Sequence, residues 1–118
     1  LELILASIRE ADRELIVSPV HEVEINAIRN SEERQYLRNL LARLASNYPF
    51  DLAVVRRQAE ILTDAGMGVA DAAHVAFAEI VQADFVSVDD RLLKQCERVK
   101  ANVWCGSPLA YCDKEDLR

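Results

Sequence analysis

The chain has 118 residues, a net charge of −6 and 51% hydrophobic side chains, enough for one domain with a core of Leu, Ile, Val and Ala. That acidic balance excludes a general nucleic-acid binder, which would carry a basic stripe. Cys96, Cys105 and Cys112 are odd in number and lack Cys-x-x-Cys spacing, which argues against a zinc knuckle or a disulfide framework and fits free thiols in a reducing cytoplasm.

Leu1, Ile4, Leu5 and Ile8 recur at helical spacing and predict a first helix, which Arg9, Glu10, Asp12 and Arg13 interrupt well short of a membrane span. Glu14–Ser18 then reads as a short strand. Ser18 is a natural N-cap, and Pro19 suits a first helical turn because its missing N–H has no partner to lose there. In the helix that follows, Val20, Val23, Ala27 and Ile28 mark a core stripe with Glu24 at its margin. Glu22, about 200° of helical turn away from Glu24, points to solvent.

Ser31, Glu32 and Glu33 open a long helix whose stripe is Tyr36, Leu37, Leu40, Leu41, Leu44 and Ala45. Residues 47–50 break it. Leu52, Val55, Ala59 and Leu62 face inward on the next helix, which stops at Ala65 and Gly66. Arg29, Arg34, Arg38, Arg56 and Arg57 are candidates for holding an RNA backbone, although exposed arginines are usually only solvated.

The 27 residues from Gly68 to Lys94 are the most informative. Val69, Ala70, Ala72, Ala73, Val75, Ala76, Phe77, Ile80 and Val81 predict a helix buried nearly all round, with Asp71 and His74 as polar exceptions. It fades at Gln82 and Ala83. Phe85–Val88 reads as a fully covered strand of the parallel type, and Asp89 starts a helix carrying Leu92 and Leu93. Asn102–Trp104 reads as a last edge strand. Without a linker or repeat, residues 1–118 read as a single domain, and the alternation of strands and helices points to a parallel sheet.

The acids of these elements have structural uses as well as chemical ones. Asp89 or Asp90 can cap a helix, and Asp71 in a first turn gains from the macrodipole. His21 and His74 suit metal ligands or proton shuttles, but such histidines are more often satisfied core or rim groups.

Three segments, SPVHEVEI from Ser18, GVADAAHVAFA from Gly68 and ADFVSVDDRLL from Ala83, resemble in order and separation the second, third and fourth acidic motifs of the PIN domain family. GSPLAY, from Gly106, resembles the turn that closes that domain. The family comprises metal-dependent ribonucleases found in many bacterial toxins. The resemblance implies a three-layer α/β/α fold with a central parallel sheet, in which Glu24, Asp71 and Asp89 are catalytic ligands of Mg²⁺ or Mn²⁺ and Asp90 is an accessory. It also implies RNA as substrate and an antitoxin protein as partner, and it leaves homodimerisation open.

The hard-cation reading is chemically consistent. Clustered carboxylates hold such an ion while leaving positions for water and phosphate oxygens, and the ion activates the water for in-line attack. Bound metal would also offset the acidic surface locally. The family's first strand, central in the sheet and ending in Asp, has no counterpart here. Either sequence precedes Leu1 or the protein is a truncated relative lacking one metal ligand; the former is favoured, since a sheet lacking its central strand would leave apolar edges unpaired. The alternatives are a catalytically inactive RNA- or protein-binding module of the same family and, from another class, a receiver-type doubly wound domain, which lacks its adjacent acids here.

Overall fold

A computed structural model describes residues 2–10, 13–46 and 48–117. Leu1 of the expected first stripe and Asn47 of the expected break lie outside the described residues. The elements in chain order are α1 (Glu2–Arg9), β1 (Leu15–Ile16), α2 (Pro19–Asn26), α3 (Ser31–Leu44), β2 (Ala45–Ser46), α4 (Leu52–Asp64), α5 (Val69–Val81), β3 (Phe85–Val86), α6 (Asp90–Arg98), β4 (Cys105–Gly106) and α7 (Pro108–Glu115).

The expected three-layer α/β/α fold with a central parallel sheet is not what forms. The described residues are 64% helix and 7% strand. Each strand spans two residues, and they make two separate parallel pairs, Leu15 opposite Ala45 and Phe85 opposite Cys105. Two-residue strands give only a short ladder, so burial falls to the helices. The anticipated runs are cut short for local reasons: Ser18 leaves the first to cap α2, and the second ends as Ser87 donates its N–H to the Gly106 carbonyl (3.0 Å), with Val88 85% exposed. The last strand lies at Cys105–Gly106 and not at Asn102–Trp104.

α5 is the centre of the core. Ala72, Val75, Ala76 and Phe77 are buried, and α4 packs along it with Val55 and Leu62. The small side chains at Ala72 and Ala76 allow this close approach. α6 adds Leu92 and Cys96, and Met67 closes the cluster from the loop before α5. Val69 and Ala70, both exposed, depart from the expected all-round burial.

α2 and α3 are shallower than their stripes suggest, for neither has a buried residue. On α2, Val23 is exposed and Ala27 lies at the exposed C-cap, while Val20, His21 and Ile25 turn inward. On α3, Leu37, Leu40, Leu41 and Leu44 are half-buried and Tyr36 is exposed. Arg34 donates to the Ile28 carbonyl (2.8 Å) and Arg38 to Asn26 Oδ1, which ties α3 to the end of α2.

One buried carboxylate organises the far side of α5. Glu79, 6% exposed, accepts from Gln58 Nε2 on α4 (3.2 Å) and from the Asn102 N–H ahead of β4 (2.7 Å). Both oxygens are satisfied, as a buried carboxylate requires.

Candidate functional site

The capping of α2 fixes the first polar group of the site. Ser18, 1% exposed and extended at φ −97°, accepts the His21 N–H at its Oγ (3.3 Å) and donates its own N–H to His21 Nδ1 (3.1 Å). This is a capping box with His in the place usually held by Glu or Gln. Because Nδ1 accepts from a backbone N–H, neutral His21 carries its proton on Nε2. Burial pushes the His21 pKa below its ordinary value, the charge of His74 adds to this, and Glu24 opposes it.

His21 sits beside His74 of α5, with ring centroids 4.5 Å apart and planes at 47°. The His74 ring is also 6.4 Å from that of Phe85 in β3. His74 Nε2 hydrogen-bonds to Glu24 Oε1, joining side chains 50 residues apart. The His74 side chain is 11% exposed and that of Glu24 52%, so the pair runs from the core to the solvent. His74 Nδ1 lies buried without a hydrogen-bond partner among the described residues.

The sequence-predicted acids fare differently. Glu24, expected at the margin of a buried stripe, is solvent-facing and is oriented by His74. Asp71, half-buried at the third position of α5, is one turn before His74 and so shares its side of the helix. It accepts no hydrogen bond among the described residues, and its Oδ2 lies 3.9 Å from where a Cβ on Gly68 would sit. Asp89 is the N-cap of α6: its Oδ1 takes the N–H groups of Arg91 (3.0 Å) and Leu92 (3.2 Å). Asp90, exposed, lines a separate cavity between α6 and β4.

No group of three or more His, Cys, Asp or Glu side chains is placed to hold a metal ion among the described residues. The expected Mg²⁺ or Mn²⁺ ligand set of Glu24, Asp71, Asp89 and Asp90 therefore does not fit as arranged: one Glu24 oxygen is given to a histidine, one Asp89 oxygen to a helix cap, and Asp90 faces another cavity. What α2 and α5 bring together is a carboxylate, two imidazoles and a second carboxylate one turn away, a set suited to proton transfer.

His21 and His74 were the residues the sequence undervalued. The signal was the three-residue step from Asp71 to His74, which places both on one face. Glu79 gave no signal, since a single Glu on an apolar helix has many explanations. No helix among the described residues is long and apolar enough to cross a membrane. Compared with protein families, curated proteins and solved structures, the chain matches none of them.

Proposed function

We propose that the chain is a ribonuclease that cleaves RNA phosphodiester bonds at the junction of α2 and α5, with Glu24 as general base. The observation that carries this reading is the Glu24–His74 hydrogen bond, which joins two of the three segments that resemble nuclease motifs. Glu24 Oε2, without a partner among the described residues, takes the proton of the RNA 2′-hydroxyl while His74 holds Oε1. The 2′-oxygen attacks the adjacent phosphorus to give a 2′,3′-cyclic phosphate, the P–O5′ bond breaks, and the departing 5′-oxygen takes a proton from water. His21, kept neutral by burial, offers its Nε2–H to a phosphate oxygen. Since the carboxylates do not form a three-ligand group, no step is assigned to a divalent ion. The choice of RNA rests on the motif resemblance.

The test is cleavage of a labelled RNA oligonucleotide in EDTA by wild type and Glu24→Gln. Loss of about 10²- to 10⁴-fold on substitution is expected for a general base. Cleavage that requires added Mn²⁺ would overturn the metal-free assignment, and a wild-type protein that never cleaves would overturn the nuclease. Binding without cleavage would point to a second reading, an RNA- or protein-binding module. Its support is that Asp89 already serves as a helix cap.

A further inference from the structure

Away from the α2–α5 junction, α6 packs on β4, and beside them opens a surface cavity of about 510 Å³. Cys96, on the inner face of α6, and Cys105, in β4, both line it, together with Lys94, Lys100 and Trp104. Each thiol is the largest influence on the other's acidity, as expected of neighbours in one wall of the cavity. Cys96 is 3% exposed and belongs to the core cluster, whereas Cys105 is half-buried. Cys112 lies on α7 and is outside this cavity lining.

We infer that Cys96 and Cys105 form a redox-responsive dithiol, a site of oxidative modification that closes to an intramolecular disulfide when the protein meets hydrogen peroxide. The pair is set up for division of labour. The neighbouring Cys105 holds the Cys96 thiol below its ordinary value against the opposing effect of burial. Cys96 in turn, together with burial, pushes Cys105 far above its own. Cys96 is then the more readily ionised thiol, the one that attacks, and Cys105 the proton-bearing resolving thiol. Cys105 Sγ also reaches the Val103 carbonyl at 3.5 Å, an acceptor for its proton.

The chemistry balances in two steps. The Cys96 thiolate attacks one peroxide oxygen, breaking the O–O bond and leaving Cys96 sulfenic acid and hydroxide, which takes up a proton to become water. Cys105 sulfur then attacks the sulfenic sulfur, the S–S bond forms, and the sulfenic oxygen leaves as a second water with the Cys105 proton. Two thiols are oxidised and one peroxide is reduced to two waters. The cavity beside the thiols admits so small an oxidant, and forming an S–S bond of about 2.05 Å draws the two sulfurs of its wall together.

The experiment treats the full chain with hydrogen peroxide, followed by blocking of free thiols under denaturing conditions and intact-mass and fragment-ion analysis. A loss of two hydrogens, with the bond mapped to Cys96 and Cys105 and with Cys112 alkylated, is the expected result. The cross-link persists in Cys112→Ser. It is abolished in Cys105→Ser, where Cys96 stops at a dimedone-reactive sulfenic acid. Trp104, the chain's single tryptophan and part of the same cavity wall, gives an optical readout, its emission falling as the disulfide forms and recovering with dithiothreitol. An unchanged thiol count, a bond to Cys112 or an intermolecular dimer would each overturn the assignment, and the wild-type mass measurement stands even if a variant fails to fold.

Discussion

Glu24 on α2 and His74 on α5 are hydrogen-bonded across 50 residues, and that bond links a shallow helix to the helix at the centre of the core. Because Glu24 is half exposed, solvent screens the interaction. A double-mutant cycle with Glu24→Gln and His74→Gln, followed by urea unfolding, should give a coupling of about 1 kcal/mol or less. A much larger coupling would mean that the pair is a structural linchpin and not a solvent-facing functional group.

The cap at Ser18 should make the protein sensitive to acid. His21 has a folded-state pKa below its ordinary 6.5, because burial and His74 disfavour its charge. The unfolded chain therefore binds more protons in the window below about pH 6.5, so stability is complete above that value and falls as pH drops through it. Protonation of Nδ1 would also remove the acceptor of the Ser18 N–H. Unfolding midpoints measured between pH 5 and 8 should show this decline in wild type and a flatter profile in His21→Gln.

Asp71 and Asp89 should separate cleanly. Asp89→Ala loses the α6 cap and should cost about 0.5–2 kcal/mol, whereas Asp89→Asn, which can still accept the Arg91 and Leu92 N–H groups, should cost little. Asp71 gives up only its favourable position in a first helical turn, about 0.3–1 kcal/mol in Asp71→Asn. Chemical denaturation of the three variants tests this ordering. A large loss in Asp71→Asn would assign that carboxylate to the structure.

Glu79 is the opposite case, a carboxylate with every oxygen occupied. Glu79→Ala leaves the Gln58 amide and the Asn102 N–H without an acceptor in a buried place and should cost about 1–3 kcal/mol. Hydrogen exchange at Asn102 should rise in step with the lost stability, because the loop before β4 is held by that bond.

At Gly106 there is no space for a methyl group. A Cβ there would lie 2.5 Å from Trp104 Cη2 and 2.6 Å from Cζ2, and that indole is itself packed by Tyr111 at 5.7 Å between ring centroids. Gly106→Ala should destabilise by about 1–3 kcal/mol through overpacking. Trimming the obstacle in Gly106→Ala/Trp104→Leu should recover part of that loss relative to Trp104→Leu alone. Thermal melts of the three variants decide it.

Much of the local order was written in the chain. Ser18 and Pro19 announce α2, and the apolar run from Val69 to Val81 could only be a helix at the heart of the core, whereas the segment from Gly106, read as a closing turn, proves to start α7 with Ser107 as its cap. Such signals are legible because caps and 3.6-residue periodicity act over a few neighbouring residues. The apolar stretches Glu14–Ser18 and Phe85–Val88 were harder, because β-branched residues suit either a long sheet strand or a brief extended link between helices. Which one forms depends on whether neighbouring backbone is available to extend the ladder.

The sequence by itself determined the helices from α1 to α6, the Ser18 cap of α2 and the order of the acidic segments. Only the tertiary structure decided that those strands pair in twos, that Glu24 meets His74, that Asp89 caps α6, and that Cys96 finds Cys105. The division has a physical basis. Helices and caps are set by interactions among residues three or four apart, while a site is set by which helix faces pack together, and that choice depends on volumes contributed by the whole chain.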